Sequence, residues 1–122
     1  MAFIFHITSH ADWESALAAG EYRAASLESE GFIHCSTSDQ LIAVANHFYH
    51  GQRGLALLCI DTDQLGSECR YEPATEPLSG AASADFPHIY GSINVNAVVK
   101  VVSFEPGPDG RFLVPGRTVR FG

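Results

Sequence analysis

The sequence predicts a single compact α+β domain with two main helices and several short strands. Its 122 residues fit one domain, long enough to bury a core without disulfides or metals. An apolar content of 46% with 17% charged residues is typical of a folded globule. Strand-like and helix-like periodicities alternate in the first half, and strand-like segments prevail in the second. We expect the domain to span residues 1–114 and residues 115–122 to form a C-terminal tail.

The N-terminal region predicts a strand followed by a helix. Residues 2–8 alternate in polarity with period two, which places His6 and Thr8 on the same face of the strand. Ser9 is a helix N-cap residue followed three positions later by an acid, and Gly20 is a left-handed stop. A helix of about three turns is therefore expected between them.

The next segment is predicted to be irregular and then extended. Residues 21–29 show no strong period, apart from a short extended stretch at Ser26. Residues 32–35 form a strand, whose period places His34 and Ser36 on one face. Residues 36–39 are dense in N-cap side chains, and the helical spacing that follows predicts a second helix over residues 38–50.

The second half predicts strands separated by one long loop. Residues 55–61 are almost entirely apolar, as in a central strand buried on both faces, and residues 69–72 form a short strand. Residues 73–85, rich in Ala, Ser, Pro and Gly, are expected to be the longest loop. Residues 97–104 form another strand, which a Pro- and Gly-rich turn reverses into a strand at residues 111–114.

The charge balance disfavours long nucleic acids and anionic membranes as partners. Fourteen acidic residues against seven basic ones give a net charge of −7. Three of the basic residues are Arg111, Arg117 and Arg120, so residues 1–110 carry a formal −10. Binding of nucleic acid depends on Lys and Arg to displace counterions, and this body would repel a phosphate backbone.

The sequence predicts a cytoplasmic protein with reduced thiols. The N-terminus lacks the basic and apolar regions of a signal peptide, and no run of 18 apolar residues occurs. Cys35, Cys59 and Cys69 show no C-x-x-C spacing, which disfavours a disulfide framework or a structural zinc site.

Three histidines in short strand-like segments are the main candidates for a functional site. His6, His34 and His88 lie in the sequences H-I-T, H-C-S and P-H-I-Y-G. If the strands that carry His6 and His34 share a sheet, their two faces converge on one cleft. Tyr90 could stack there on a planar base, and Gly91 would allow a ligand to approach the backbone closely.

Two hydrolase alternatives remain open at this stage. The H-x-[ST] sequences at His6 and His34 match the motif of two-histidine phosphoesterases, although 28 residues separate them and that architecture needs two lobes. A metal-dependent hydrolase would use His6, His34 and His88 as ligands, but the chain contains no H-x-x-x-H or H-E-x-x-H spacing. We therefore expect no metal.

A longer succession of motifs resembles a known bacterial family. The segments are F-H-I-T-S-H-A-D-W-E-S-A (5–16), G-E-Y-R-A-A-S-L (20–27), E-G-F-I-H-C-S-T (30–37), A-N-H-F-Y (45–49), R-Y-E-P (70–73) and F-P-H-I-Y-G-S-I-N-V-N-A-V (86–98). Together they resemble the family catalogued as domain of unknown function 952. That family is grouped by fold with the ADP-ribosyltransferase superfamily, so the resemblance implies a small split β-sheet that holds NAD in a cleft.

The resemblance also implies roles for individual residues. His6 would hydrogen-bond the NAD ribose with Thr8 beside the nicotinamide side, and His34, supported by Ser36, would pack on nicotinamide. The catalytic glutamate of the superfamily maps near His88 to Gly91, where the sequence has no acid. The related RNA 2′-phosphotransferase branch also lacks that glutamate.

These observations lead to one main functional hypothesis. A cleft would bind NAD or a related nucleotide and support ADP-ribosyl transfer or NAD-glycosidic cleavage, with His6, His34 and Tyr90 as catalytic residues. Arg23 and the N-terminus of the second helix would hold phosphate. The remaining ligand-binding residues would be Thr8, Ser26, Ser36, His88 and Gly91. The alternative is a non-catalytic nucleotide-sensing or interaction module.

Overall fold

The computed structural model describes residues 2–74 and 85–114 and shows a mixed α/β fold. In this part of the chain, three helices accompany eight strands in small antiparallel sheets. The elements are β1 (Phe3–Ser9), α1 (His10–Ala19), β2 (Glu21–Tyr22), α2 (Ala25–Ser29), β3 (Ile33–His34), α3 (Leu41–Phe48), β4 (Leu55–Asp61), β5 (Glu68–Pro73), β6 (Asp85–Tyr90), β7 (Ile93–Asn94), a 3-10 turn (Val95–Ala97) and β8 (Val98–Phe104).

Two hydrophobic clusters lie on opposite faces of the sheet β1-β4-β8. Its central strand β4 is buried except at Cys59, which confirms the central strand predicted at residues 55–61. Leu58 packs in a cluster with Ala16 of α1, whereas the adjacent Leu57 packs with Ala45 of α3. Because neighbouring side chains on a strand point to opposite faces, α1 and α3 cover opposite sides of this sheet.

A second three-stranded sheet, β3-β6-β5, meets the first sheet at a β-bridge between Phe5 and Ser36. Phe5 and Ser36 exchange two backbone hydrogen bonds of 2.8 Å, from each N–H to the other carbonyl. Beyond this pair, β1 and β3 follow different partners, β4 and β6. The strands β2 and β7 form a separate two-stranded sheet. The bridge thus links the two larger sheets beside His6 and His34.

The first helix follows its local signals, whereas the region after it does not. The Ser9 side chain accepts a hydrogen bond from the Asp12 N–H, and Gly20 ends the helix at φ 86°. The prediction that residues 21–29 are irregular is wrong, because β2 and the short helix α2 occupy this segment. Strand β2 pairs with β7, some seventy positions along the chain, and local periodicity does not show such a distant partner.

The second predicted helix is shorter than expected and begins later, at Leu41. The buried side chain of Gln40 accepts a hydrogen bond from the Thr37 N–H and donates one to the Asp85 carbonyl. These bonds fix residues 37–40 as a turn. The N-cap side chains at residues 36–39 therefore do not start the helix. The helix also ends at Phe48 rather than at His50.

The strand predicted at residues 111–114 is also wrong. A side chain rather than a neighbouring strand holds this segment: Asn46 Oδ1 accepts from the Phe112 N–H at 2.7 Å, and Asn46 Nδ2 donates to the Phe112 carbonyl at 3.4 Å. The Phe112 ring is thereby held in the core against Phe104. Most of the predicted long loop at 73–85 and the predicted tail at 115–122 lie outside the described residues.

The outer strand β8 completes the first sheet. It pairs with β4, with an irregularity in register between Cys59 and Ile60. Val99 and Val101 on β8 are large apolar side chains exposed at the surface.

The three cysteines, Cys35, Cys59 and Cys69, are free thiols. Burial raises the pKa of Cys35 well above its ordinary value, as expected for an unreactive core thiol. Within the described ranges, no helix combines the length and apolar character needed to span a bilayer.

Candidate functional site

A cleft of about 400 Å³ opens beside the bridge between the two larger sheets. This volume lies within the range of small-molecule sites, which is about 300–1,000 Å³. Strands β1, β3 and β6 and helix α3 contribute to its walls. The lining residues are Phe5, His6, Ile7, Glu30, His34, Cys35, Ser36, Val44, Phe48, Tyr49, Ala74, Phe86 and His88.

His88 lies at the centre of a group of rings on one face of the sheet β3-β6-β5. The register of the sheet pairs His34 and His88 as neighbours and places Arg70 on the other side of His88. The His88 ring is stacked on Phe32 with centroids 4.1 Å apart, and the His34 ring meets it edge-on at 5.5 Å. His88 is only 2% exposed, so its imidazole is held rigidly in the wall of the cleft.

Glu72 on β5 orients the His88 ring. Its carboxylate Oε1 lies 2.8 Å from His88 Nδ1, which must donate, and it also accepts a hydrogen bond from the Tyr90 hydroxyl. The hydrogen bonds from Tyr90 and His88 lower the pKa of Glu72, so it remains a carboxylate at neutral pH. Within the described residues, Glu72 is the hydrogen-bond partner of this imidazole, and Nε2 is left to accept from a ligand.

His34 carries a second carboxylate–imidazole pair at the mouth of the cleft. Its Nε2 donates to Glu30 Oε2 at 3.1 Å, and its side chain is 43% exposed. The two pairs, Glu30–His34 and Glu72–His88, lie beside each other because their histidines are cross-strand neighbours. Two imidazoles with opposite tautomers therefore face one site, an arrangement suited to proton transfer.

His6 differs from the other two histidines because protein groups engage both of its ring nitrogens. Nδ1 lies 2.6 Å from the His34 carbonyl and therefore donates, and Nε2 lies 2.8 Å from the Tyr22 hydroxyl. Burial lowers the pKa of His6 to about 4, against the raising effect of the His34 carbonyl, so the ring is neutral at pH 7. A neutral ring has one N–H, so Nε2 accepts from Tyr22, and the Tyr22 and Thr8 hydroxyl groups are hydrogen-bonded at 3.0 Å.

This chain of hydrogen bonds gives His6 a supporting position in the site. It holds the backbone of His34 in place, but offers no free nitrogen to a ligand. The two-histidine phosphoesterase alternative needs His6 and His34 both open to the substrate, so the geometry does not favour it. Among the described residues, no three His, Cys, Asp or Glu side chains are grouped to hold a metal ion.

The structure brings four of the predicted site residues to the cleft, namely His6, His34, Ser36 and His88. Among the described residues, the other five lie outside its lining. The Thr8 hydroxyl is hydrogen-bonded to the Tyr22 hydroxyl. The Arg23 side chain is 54% exposed and lies 3.8 Å from Glu21. Ser26 donates to the Phe32 carbonyl at 2.8 Å and so positions that ring residue.

Tyr90 lies behind the ring group rather than opposite His34. The Phe32 ring contacts both His34 and Tyr90, at 4.8 and 5.5 Å between centroids, so these two do not leave an open slot for a base between them. The Arg70 guanidinium lies over the Tyr90 ring, 4.4 Å from the ring centroid. The N-terminus of the second helix, which was expected to hold phosphate, is also altered. The Thr37 N–H there donates to the side chain of Gln40 and is not left for a ligand.

A contact within the protein, rather than a ligand, accounts for the absence of a side chain at Gly91. A Cβ at this position would overlap the Ser67 side chain, whose Oγ donates to the Ser92 carbonyl at 2.6 Å. We expect Gly91→Ala to lower the free energy of unfolding by about 1–3 kcal/mol through this overlap. Urea denaturation of Gly91→Ala, Ser67→Gly and the double variant measures the coupling. A favourable coupling of about 1 kcal/mol or more is expected, and purely additive losses would contradict the assignment.

Sequence reasoning missed Glu72, Tyr22 and Phe32. The period of R-Y-E-P does place Glu72 on the same strand face as Arg70. Its position beside His88 depends on the pairing of β5 with β6, which no local pattern encodes. The resemblance maps the catalytic glutamate of the superfamily near residues 88–91, where the chain has no acid. The carboxylate that contacts His88 is that of Glu72, on the neighbouring strand β5.

The chain is similar to one family and to solved structures of one bacterial protein. The family model described as protein of unknown function (DUF952) matches residues 7–101. The crystal structure of protein CC0527 from Caulobacter crescentus is 29% identical, covers 96% of this chain and 98% of that chain, and superposes with a TM-score of 0.80. The solution NMR structure of CC0527 is 30% identical, covers 96% and 97%, and has a TM-score of 0.77. No curated protein shows significant sequence similarity to the chain.

Proposed function

The chain belongs to the DUF952 family of proteins of unknown function, and from this premise and the geometry of the cleft we propose that it binds NAD or a related small nucleotide. The nicotinamide ring would enter the cleft. The observation that carries the proposal is the adjacent pair of imidazoles, His34 and His88, in the wall of a cleft large enough for a heteroaromatic ring. Ligand sites commonly combine such an apolar concavity with a few fixed polar groups.

The position of the cleft supports the same proposal. It opens where the sheets β1-β4-β8 and β3-β6-β5 separate on either side of the Phe5–Ser36 bridge. We propose that this arrangement is a variant of the split sheet of ADP-ribosyltransferases, in which the nucleotide lies in the corresponding gap. Arg23 lies outside the cleft lining, so in this proposal the diphosphate extends away from the ring site.

The residues of the cleft suit cleavage of the bond between nicotinamide and ribose. The glycosidic C–N bond would break and nicotinamide would leave with the electron pair. An acceptor hydroxyl or water would then bond to the ribose carbon and give its proton to Nε2 of His88. Glu72 would stabilise the resulting imidazolium through Nδ1–H. His6 would act by holding the His34 backbone, and not by touching the ribose.

Isothermal titration with NAD and ADP-ribose tests the binding proposal. We expect NAD to bind more tightly than ADP-ribose, because ADP-ribose lacks the ring. His34→Ala should weaken NAD binding about tenfold or more, equivalent to about 1.4 kcal/mol. His10→Ala is the matched control, since His10 lies on α1 beside Ser103 and outside the cleft lining. Equal binding by wild type and His34→Ala, or none by wild type, would refute the proposal.

A non-catalytic nucleotide-sensing module is the second candidate. The engagement of both His6 nitrogens favours it, because the resemblance assigned that histidine to the ribose. An assay distinguishes the enzyme from the non-catalytic module. Chromatography monitors the release of nicotinamide from NAD over hours, with and without candidate acceptors. Release by wild type that is lost in Glu72→Gln supports the enzyme, whereas binding without release supports the module.

A further inference from the structure

We propose that the cleft selects organic cations, so that the positively charged pyridinium form of the nicotinamide ring is the group that enters. This inference rests on the proposed function and names the chemical character of the ligand. It would distinguish NAD from its reduced form, whose ring is neutral.

Aromatic side chains line the cleft on several sides. Phe5 on β1, Phe48 and Tyr49 at the end of α3, and Phe86 on β6 all contribute to its surface. Phe48 remains 45% exposed although it is a large apolar side chain. The electron-rich faces of aromatic rings attract a cation, and desolvated sites of this kind recognise quaternary ammonium groups.

The charged groups of the cleft are also acidic. Glu30 is a lining residue, and Glu72 lies directly behind His88. Neither lysine nor arginine occurs among the lining residues that the structure describes. The nearby Arg70 is held outside by Glu68, with two hydrogen bonds of 2.9 and 3.0 Å. An anionic group would therefore meet no Lys or Arg side chain in the described lining, whereas a cation would meet Glu30 in the lining and the more distant charge of Glu72 behind His88.

His88 supplies the polar contact that fixes the orientation of the ring. Its side chain is almost entirely buried, and Glu72 commits Nδ1, so Nε2 is the atom left for a ligand. An acceptor at this position suits the amide N–H₂ of the bound nicotinamide, and it becomes free to take the proton of water or of an acceptor hydroxyl once nicotinamide has left. The cleft therefore offers several aromatic side chains to a planar cation and one acceptor for its substituent.

Three ligands with the same ring and different charges test the inference. They are 1-methylnicotinamide, a cation; nicotinamide, which is neutral; and nicotinate, an anion. Titration at pH 8, where an ordinary imidazole is neutral, leaves the carboxylates as the main local charges. We expect 1-methylnicotinamide to bind about tenfold more tightly than nicotinamide, and nicotinate to bind more weakly than both.

The isosteric variant Glu30→Gln should reduce the preference for the cation severalfold, because it weakens the binding of 1-methylnicotinamide more than that of nicotinamide. Glu14→Gln, on the exposed side of α1, removes the same charge away from the cleft and should keep the preference. If NAD binds but the cation and the neutral ring bind equally, this inference fails and the proposed function stands. If 1-methylnicotinamide binds selectively but NAD does not, the proposed function fails and the cation site stands. Absence of binding by every probe overturns both.

Discussion

Replacing Phe112 with alanine is expected to lower the free energy of unfolding by about 3–5 kcal/mol. The side chain is 1% exposed and its ring lies 4.7 Å from that of Phe104. Removing it would leave a cavity in the cluster that joins α3 to the sheet β1-β4-β8. The surrounding backbone has little freedom to fill that cavity, because Asn46 fixes the segment by two hydrogen bonds.

The neighbouring Leu113 provides a matched control, since it is 65% exposed. Leu113→Ala should change the stability by no more than about 0.5 kcal/mol. Urea denaturation at pH 7 measures the free energy of unfolding of both variants. If this free energy depends on urea concentration with the same slope as in the wild type, the shift of the midpoint reports stability alone. Similar losses in the two variants would contradict the anchoring role of Phe112.

Acidification from pH 6.5 to pH 4 is expected to destabilise the protein by about 3 kcal/mol through His6 alone. Burial lowers the pKa of this histidine to about 4 in the folded state, whereas the unfolded chain has the ordinary value near 6.5. Between these values the unfolded state binds more protons than the folded state. Stability therefore rises with pH through this window, and its full contribution is present above pH 6.5.

His6→Asn removes the titration while keeping a side-chain donor near the His34 carbonyl. We expect this variant to be less stable at pH 7, because it loses Tyr22 as a partner, but to show a flatter dependence between pH 6.5 and 4.5. His10→Asn, which changes an exposed histidine, should retain the wild-type slope. The lowered pKa of Glu72 adds its own loss of stability only below about pH 4.5, outside this comparison. An unchanged slope in His6→Asn would show that another group causes the acid sensitivity.

Local sequence signals were sufficient to predict an element when its ends and its burial depend on its own residues. Helix α1 has its cap, its stop and its length in one stretch of sequence, and strand β4 has a continuous apolar run. The start of α3 could not be predicted in the same way. Gln40 is a polar residue that is fully buried, and its role depends on the Asp85 carbonyl 45 positions away.

The candidate site shows the same division between local pattern and distant pairing. Strand periodicity predicts that His34 and Ser36 share a face, and both reach the cleft with His88. The carboxylate beside His88 comes from a strand whose register is set by tertiary pairing, so Glu72 could not be predicted from spacing. Chain order also does not show that Tyr22 lies 2.8 Å from His6.

In the part of the chain that the structure describes, β8 is an outer strand of its sheet, and its residues affect pairing between copies of the chain. Val99 and Val101 are exposed there, and an exposed edge strand rich in valine is a template on which other chains can add strands. Lys100 lies between the two valines, so an antiparallel pairing of two copies centred on this residue would bring like charges opposite each other. The irregular register between Cys59 and Ile60 further interrupts the straight edge that stacking requires. One lysine and one bulge thus oppose aggregation through this strand.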